Sequence, residues 1–328
     1  MRILNAAEVR QALPMAEAIA GMKRAFAQLS TGRAQTPLRN RLDASAVDGV
    51  ALFMPAFLPE EESLAIKVVS VFPENPRRGE PIIYATVLVL DPETGRPLAL
   101  LEGGSLTAIR TGAGSGAATD LLARPEAASV AIIGSGVQAR SHLEAVCTVR
   151  NIRRVRVYSP TLDHAVAFAE EMAGQGPIPA DVTVTESAAK AVVGADIVCT
   201  TTTSTSPVFP GRDLSLGTHI NAVGSFTPQM QEIDEDTVAR ALVVVDSREA
   251  VWAEAGDLLV PLKKGLIDED HIWAEVGEIV AGTRTGREDA QQITLFKSVG
   301  VAVQDVVAAG IALRNAERLG LGTEIRLS

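Results

Sequence analysis

The chain is poor in the residues that most often carry chemistry unaided. Only two cysteines occur in 328 residues, Cys147 and Cys199, each in an apolar run. Two thiols cannot build a disulfide framework, so they are expected to be small buried hydrophobes in a reducing compartment. The four histidines, His142, His164, His219 and His271, never fall at a metal-ligand spacing, and no carboxylate pair resembles a metal cage. No metal is expected. Aromatics are 4 % of the chain, so the core must rest on Ala, Val, Leu and Ile. No run is long and apolar enough to span a bilayer, and MRILNAAEVRQALP lacks the apolar heart of a secretion signal. A formal net charge of −10 argues against nucleic acid or anionic membrane as a partner. The expectation is a cytoplasmic protein that holds any anionic ligand with local cations, against an unfavourable overall field.

What is present reads as two domains. The length is too great for one ordinary core. Pro14 to about Ser30 has helical spacing, with Ala18, Met22, Phe26 and Leu29 on one face and Gly32 as a stop. Strand-like runs follow at 50–58, 64–72, 84–90 and 97–103, with DPETG as a hairpin turn, and then a small-residue helix over about 106–122. After Arg124-Pro125 the texture changes to short apolar strands alternating with helical stretches, the rhythm of parallel βαβ units. The last helical run, about 299–319, lies beyond that unit and can return to the first. The fold class is therefore α/β: a Rossmann-type doubly wound parallel sheet over 123–298, and a discontinuous α+β domain over 1–122 and 299–328.

The strongest local signal is VAIIGSGVQA. A strand runs into Gly134-x-Gly136-x-x-Ala139 and a helix begins. Gly134 allows the tight turn, Gly136 allows close approach of a pyrophosphate, and Ala139 permits tight helix packing. The helix start offers free N–H groups to phosphate. The next strand ends at Ser159, where many NAD enzymes carry an acid that repels a 2′-phosphate, so NADPH is expected to be tolerated or preferred. Arg140 and His164 are candidate phosphate contacts, with solvated surface groups as the alternative. Thr200, in the loop after a later strand, is a candidate cofactor contact.

Three cations precede the nucleotide unit: Arg39 in TPLRN, Lys67 in LAIKVVSV and Arg110 in TAIRTG. Lys67 has apolar neighbours on both sides, and a charge so placed must be partnered or functional. Converging, the three would bind a carboxylate. The alternative is a strand-edge Lys and two surface Arg. The stretch NAVGSFTPQMQEI has the opposite character. It reads as a strand end where ligands sit, yet its tip offers Ser225, Phe226 and Thr227, with no acid or base.

Together, LAIKVVSVFPEN, ATVLVLDPETGRPLALLEGGSLTAIRTGAGSGAAT, VAIIGSGVQARSHLEAV, HINAVGSFTPQMQEI and ITLFKSVGVAVQD resemble the ornithine cyclodeaminase/μ-crystallin family, over nearly the whole chain. The resemblance implies a homodimer joined through the sheets of its substrate domains, with each active site between substrate and Rossmann domains. It implies that Arg39 and Lys67 hold a substrate carboxylate. It places Thr86, Arg110, Val137, Gln138, Ser159, Thr200, Asn221, Ala222 and Val223 along NADPH or NADH, with Lys297 and Ser298 on the nicotinamide side. Cyclodeaminases of the family carry an Asp where this chain has Phe226. A phenyl ring accepts no proton and orients no water, so ornithine cyclodeamination is disfavoured. Reduction of a cyclic ketimine carrying a carboxylate needs no base there. It is the expected reaction, with Lys67 as a possible proton source and Phe226 as an apolar wall. Alanine dehydrogenase-type reductive amination and a non-catalytic cofactor-loaded binding protein are the alternatives.

A carboxylate at the end of the second nucleotide-domain strand should favour NADH. Ser159→Asp is predicted to shift the NADPH/NADH ratio of kcat/KM toward NADH, and an unchanged ratio would remove Ser159 from the ribose site.

Overall fold

The structure is a computed structural model that describes residues 1–326. In chain order it begins β1 (Arg2–Leu4), α1 (Ala6–Ala12), α2 (Met15–Ser30), β2 (Asn40–Ala44), β3 (Gly49–Leu58), β4 (Ser63–Val71), β5 (Ile83–Leu90), β6 (Pro97–Glu102) and α3 (Gly103–Leu122). Then come β7 (Ser129–Ile133), α4 (Val137–Val149), β8 (Arg154–Tyr158), α5 (Leu162–Met172), β9 (Val182–Val184), α6 (Ala188–Val192), β10 (Ile197–Thr200) and β11 (His219–Ala222). These are followed by α7 (Glu235–Arg240), β12 (Leu242–Val245), α8 (Arg248–Glu254), α9 (Gly256–Lys263), β13 (Ile272–Glu275), α10 (Val276–Val280) and β14 (Thr294–Lys297). The chain closes with α11 (Ala302–Leu319) and β15 (Thr323–Glu324). Two compact units result: Met1–Arg110 together with the chain from Val301 onward, and Thr111–Gly300. The division falls inside α3, at Arg110/Thr111, rather than after Leu122.

In the first unit the strand order is β15-β1-β6-β5-β4-β3-β2. β1 and β6 are parallel and the other pairs antiparallel. Residues two apart share a sheet face, so Met54, Ala56 and Leu58 of β3, Ala65 and Lys67 of β4, and Val87 and Val89 of β5 all turn inward. α11 packs on β3 and β4, and α2 packs on α11 through a buried face that includes Met15, Ala18, Met22 and Phe26. Capping fixes where helices start: Asn5 Oδ1 accepts from Ala7 N and Glu8 N, and Glu8 Oε2 accepts from Asn5 N at the head of α1.

In the second unit eight parallel strands run β13-β12-β14-β11-β10-β7-β8-β9. The chain leaves β7 toward β8 and β9, then returns to the other side at β10. The switch point between β7 and β10 opens the crevice where such sheets bind ligands. β14 inserts between β11 and β12, so three strand ends, of β10, β11 and β14, stand side by side. Phe168, with Val130, Ile132, Val155 and Val157, fills one face of this sheet.

Asp196 joins the starts of β10 and β7. Its carboxylate accepts from Ala128 N, Ser129 N and Ser129 Oγ, and lies 2.6 Å from Arg124 Nη2. Burial pushes this carboxyl up, but the Ala128 and Ser129 hydrogen bonds and the Arg124 charge outweigh it and hold the group below its ordinary value. The ionised form is thus favoured by folding, and its contribution is present above the unfolded carboxylate range and lost as pH falls through the lowered folded value. Asp196→Ala should cost about 1–3 kcal/mol at neutral pH. The check is the urea midpoint at neutral and acid pH, where the gap between variant and parent should narrow on acidification.

Candidate active site

Lys67 is 3 % exposed at the middle of the first sheet, opposite Met54 on β3 and Val87 on β5. A lone ammonium there would be prohibitive. Asp305, in the first turn of α11 and fully buried, supplies the counter-charge: its Oδ2 lies 2.7 Å from Lys67 Nζ. Its Oδ1 accepts from Arg110 Nε at 2.8 Å. Gln304 Oε1 accepts from Arg110 Nη1 at 2.9 Å and from Val301 N at 3.0 Å, which fixes the guanidinium plane. Burial, then the Arg110 charge, pushes the Lys67 ammonium down; Asp305 resists by charge and hydrogen bond, Arg39 adds a smaller push, and the pKa settles at about 8. Arg39, half-buried just before β2, is therefore within electrostatic reach. Lys67 and Arg110 thus share one buried carboxylate, an arrangement whose positive charge could receive a small acid. Asp305 and Gln304 were not singled out in the sequence, although a Gln-Asp pair inside VAVQDVVAAG carries the same signal as Lys67: a polar group in an apolar run.

Thr86 does not join this group. It sits on β5 opposite Val68, and strand alternation turns it to the outer face while Lys67 faces inward.

In the second unit Gly134 has φ +110° and its N–H donates to Tyr158 O at 2.8 Å. A Cβ there would stand 2.7 Å from Thr201 Oγ1, so β7 and the loop after β10 meet only because the residue is glycine. Gly136 is the N-cap of α4, without a side-chain cap, and a Cβ on it would meet nothing within 4 Å. The first N–H groups of this 13-residue helix are therefore open to an anion, beside exposed Val137 and half-buried Gln138. Ala139 is fully buried beneath them. This cradle fits the pyrophosphate of a dinucleotide. Ser159 is half-exposed just after β8.

Several side chains proposed from sequence as ligand contacts are used differently. Arg140 donates to Ser135 O and Gly136 O, pairs with Glu171 and lies 5.5 Å from the Phe168 ring centroid. It braces the glycine turn from behind instead of reaching for phosphate. His164 is exposed in the first turn of α5. Thr200 is fully buried, its hydroxyl donating to Glu232. Asn221, Ala222 and Val223 are buried at the end of β11, with Asn221 Nδ2 donating to Thr119 Oγ1. Lys297 is fully buried and paired with Asp257, and Ser298 Oγ donates to Asp246 Oδ2. These residues end their strands beside the switch point, but the side chains of Thr200, Lys297 and Ser298 point into the protein because each satisfies a buried carboxylate. Phe226 is 45 % exposed on the loop after β11.

His142 and His219 are buried, and desolvation pushes them down to about 4 and about 3, with the Arg287 charge adding to the push on His219. Both are neutral at physiological pH and neither serves as an acid. Among the described residues no group of three or more His, Cys, Asp or Glu is placed to hold a metal, and no helix is long and apolar enough to cross a membrane.

Comparison with known proteins identifies the family. A sequence profile of the ornithine cyclodeaminase/mu-crystallin family matches residues 1–318. The chain belongs to this family. A Delta(1)-pyrroline-2-carboxylate reductase of Bacillus cereus is 44 % identical over 326 residues, 99 % of each chain. An alanine dehydrogenase of Archaeoglobus fulgidus is 36 % identical over 99 % of this chain and 98 % of its own. Among solved structures, Thermococcus litoralis Delta(1)-pyrroline-2-carboxylate reductase in complex with NADH and L-proline superimposes with a TM-score of 0.94. It is 45 % identical and the match covers 99 % of this chain and 100 % of that one.

Removing the Asp305 charge takes away the one interaction that holds the Lys67 proton on. In Asp305→Asn the Lys67 ammonium should lose its proton at lower pH than in the parent, whose Lys67 pKa is lowered by burial to about 8. Heteronuclear NMR of the lysine Nζ reads this directly, and an unmoved titration would show that Asp305 does not set the charge state.

Proposed function

We propose that this protein uses NADPH or NADH to reduce cyclic ketimines bearing a carboxylate, 1-pyrroline-2-carboxylate and 1-piperideine-2-carboxylate, to L-proline and L-pipecolate. The observation that carries the reading is the buried Lys67–Asp305–Arg110 cluster, in which burial and the Arg110 charge lower the Lys67 pKa to about 8. Such a group anchors a carboxylate and, near neutral pH, holds a proton it can also release. Arg39 and Lys67 grip the substrate carboxylate, Arg110 adds to the field, and Lys67 Nζ is the proton source for the imine nitrogen. The reduced nicotinamide, when bound, supplies the hydride. The cradle at Gly134 and Gly136 holds its pyrophosphate, and the backbone from Asn221 to Val223 borders its reactive ring. Phe226 offers no carboxylate with which to orient a hydrolytic water. Binding energy is thus spent on orientation and charge.

The first sheet supports a homodimer. Leu42, Val68 and Tyr84, 60 %, 37 % and 50 % exposed, share its outer face by register, and such an apolar face suits a second copy. Two buried free thiols suit a cytoplasmic enzyme.

The test follows loss of reduced-nicotinamide absorbance with pyrroline-2-carboxylate, piperideine-2-carboxylate, pyruvate plus ammonia, and ornithine. Oxidation with the cyclic imines is expected. Turnover only with pyruvate and ammonia would make the protein an amino-acid dehydrogenase instead, and ammonia released from ornithine would overturn the role given to Phe226. In the same assay Lys67→Met should lower kcat/KM by about a hundredfold or more while cofactor affinity stays within about threefold.

A further inference from the structure

The bare tip of NAVGSFTPQMQEI rests on acids and a base that lie beneath it. Glu232, Asp257 and Lys297 are all fully buried. Glu232 Oε2 accepts from Gly224 N at 2.8 Å, Ser225 N at 3.1 Å and Thr200 Oγ1 at 3.0 Å, and Oε1 accepts from Thr202 N at 2.6 Å. One carboxylate therefore ties the end of β10 to the end of β11. Asp257 Oδ1 accepts from the backbone N–H of Glu232 and of Ile233, which holds Glu232 in place. Lys297, the last residue of β14, pairs with Asp257 Oδ2 at 2.8 Å and donates to Ser225 O at 2.5 Å. The contacts close a ring: Ser225 N–H to Glu232, Glu232 N–H to Asp257, Asp257 to Lys297, and Lys297 back to Ser225 O. Both polar backbone atoms of Ser225 are fixed, and Phe226 is the next residue. The packing leaves no slack, since a Cβ on Gly224 would stand 2.1 Å from Thr202 O.

We propose that Glu232, Asp257 and Lys297 are positioning residues that clamp the ends of β10, β11 and β14 and so fix the backbone carrying Phe226 and bordering the nicotinamide. The inference deepens the ketimine-reductase reading and rests on it for the meaning of the position, though not for the clamp itself. A buried ionic group roughly breaks even on stability against apolar side chains of equal volume, so its distinctive yield is a unique geometry. Every hydrogen-bond partner of the Glu232 carboxylate is a donor, so Gln in its place must turn an NH2 toward N–H groups and release part of the loop.

The experiment compares the cofactor-free parent with Glu232→Gln, Lys297→Met and the milder Thr200→Val, which removes one hydroxyl donor at nearly constant volume. Amide hydrogen exchange is read at Thr202, Gly224 and Ser225 and, as an internal control, at Ile132 in β7. Local exchange should accelerate by about tenfold or more in the first two variants and less in Thr200→Val, with Ile132 unchanged. In turnover the same variants should lose kcat with the imine more than they lose cofactor affinity. Exchange that rises uniformly across the sheet would reduce the network to bulk stability and overturn the proposal. Unchanged exchange at Gly224 and Ser225 would overturn it as well. If the parent enzyme fails to reduce imines but the local exchange pattern appears, the clamp stands and the proposed reaction falls.

Discussion

A carboxylate on α11 holds two cations that could not otherwise be inside the protein. Asp305 lies between Lys67 and Arg110, and its contact with Arg110 spans 195 residues of sequence. Lys67 is tolerable at the centre of a sheet only because that acid arrives, and its proton is loosened first by burial and then by the Arg110 charge that shares the acid. The discontinuity of the first unit follows from the same contact: the chain crosses the whole parallel sheet before it returns with the residue that neutralises β4. The second unit repeats the arrangement with the signs exchanged, two acids against one base, and turns it toward backbone N–H groups.

The two clusters divide the work that a reductase of this family has to do. One gathers positive charge in the first unit, which the proposed reaction assigns to an acid and to the proton for its nitrogen. The other provides no exposed charge and instead determines where a loop sits. A bare strand tip is consistent with both, since a reaction driven by hydride needs orientation at that point more than it needs a base.

Much of this was legible from residue patterns. Alternation located β3, β4, β5 and β6, and marked Lys67 as a buried charge. Gly134-x-Gly136-x-x-Ala139 marked the turn into α4, because each of those positions is decided by local backbone geometry. The partners were not legible. Nothing near Lys67 in sequence announces Asp305, and Glu232 sits in MQEI as an ordinary acid until tertiary folding brings four donors around it. At Thr200, Lys297 and Ser298 the place at a strand end was legible, but the buried carboxylates that their side chains bind were not, since Glu232, Asp257 and Asp246 lie elsewhere in the chain. Thr86 is a different case. Its face follows from alternation with Val87, so register alone separates it from Lys67. The slot of β14 between β11 and β12 also lay beyond local pattern, since strand order is a property of the whole sheet.

The return of α11 bears on how the protein is made. Residues 302–319 leave the ribosome only after all eight parallel strands have been translated. Until then β3 and β4 lack the helix that covers them, and Lys67 and Arg110 have no counter-ion. The middle of the chain can therefore mature first, while the N-terminal sheet waits as an incomplete, apolar-faced intermediate. A nascent chain stalled before α11 would present that open face to holdase chaperones, and its buried charge cluster would be assembled last of all.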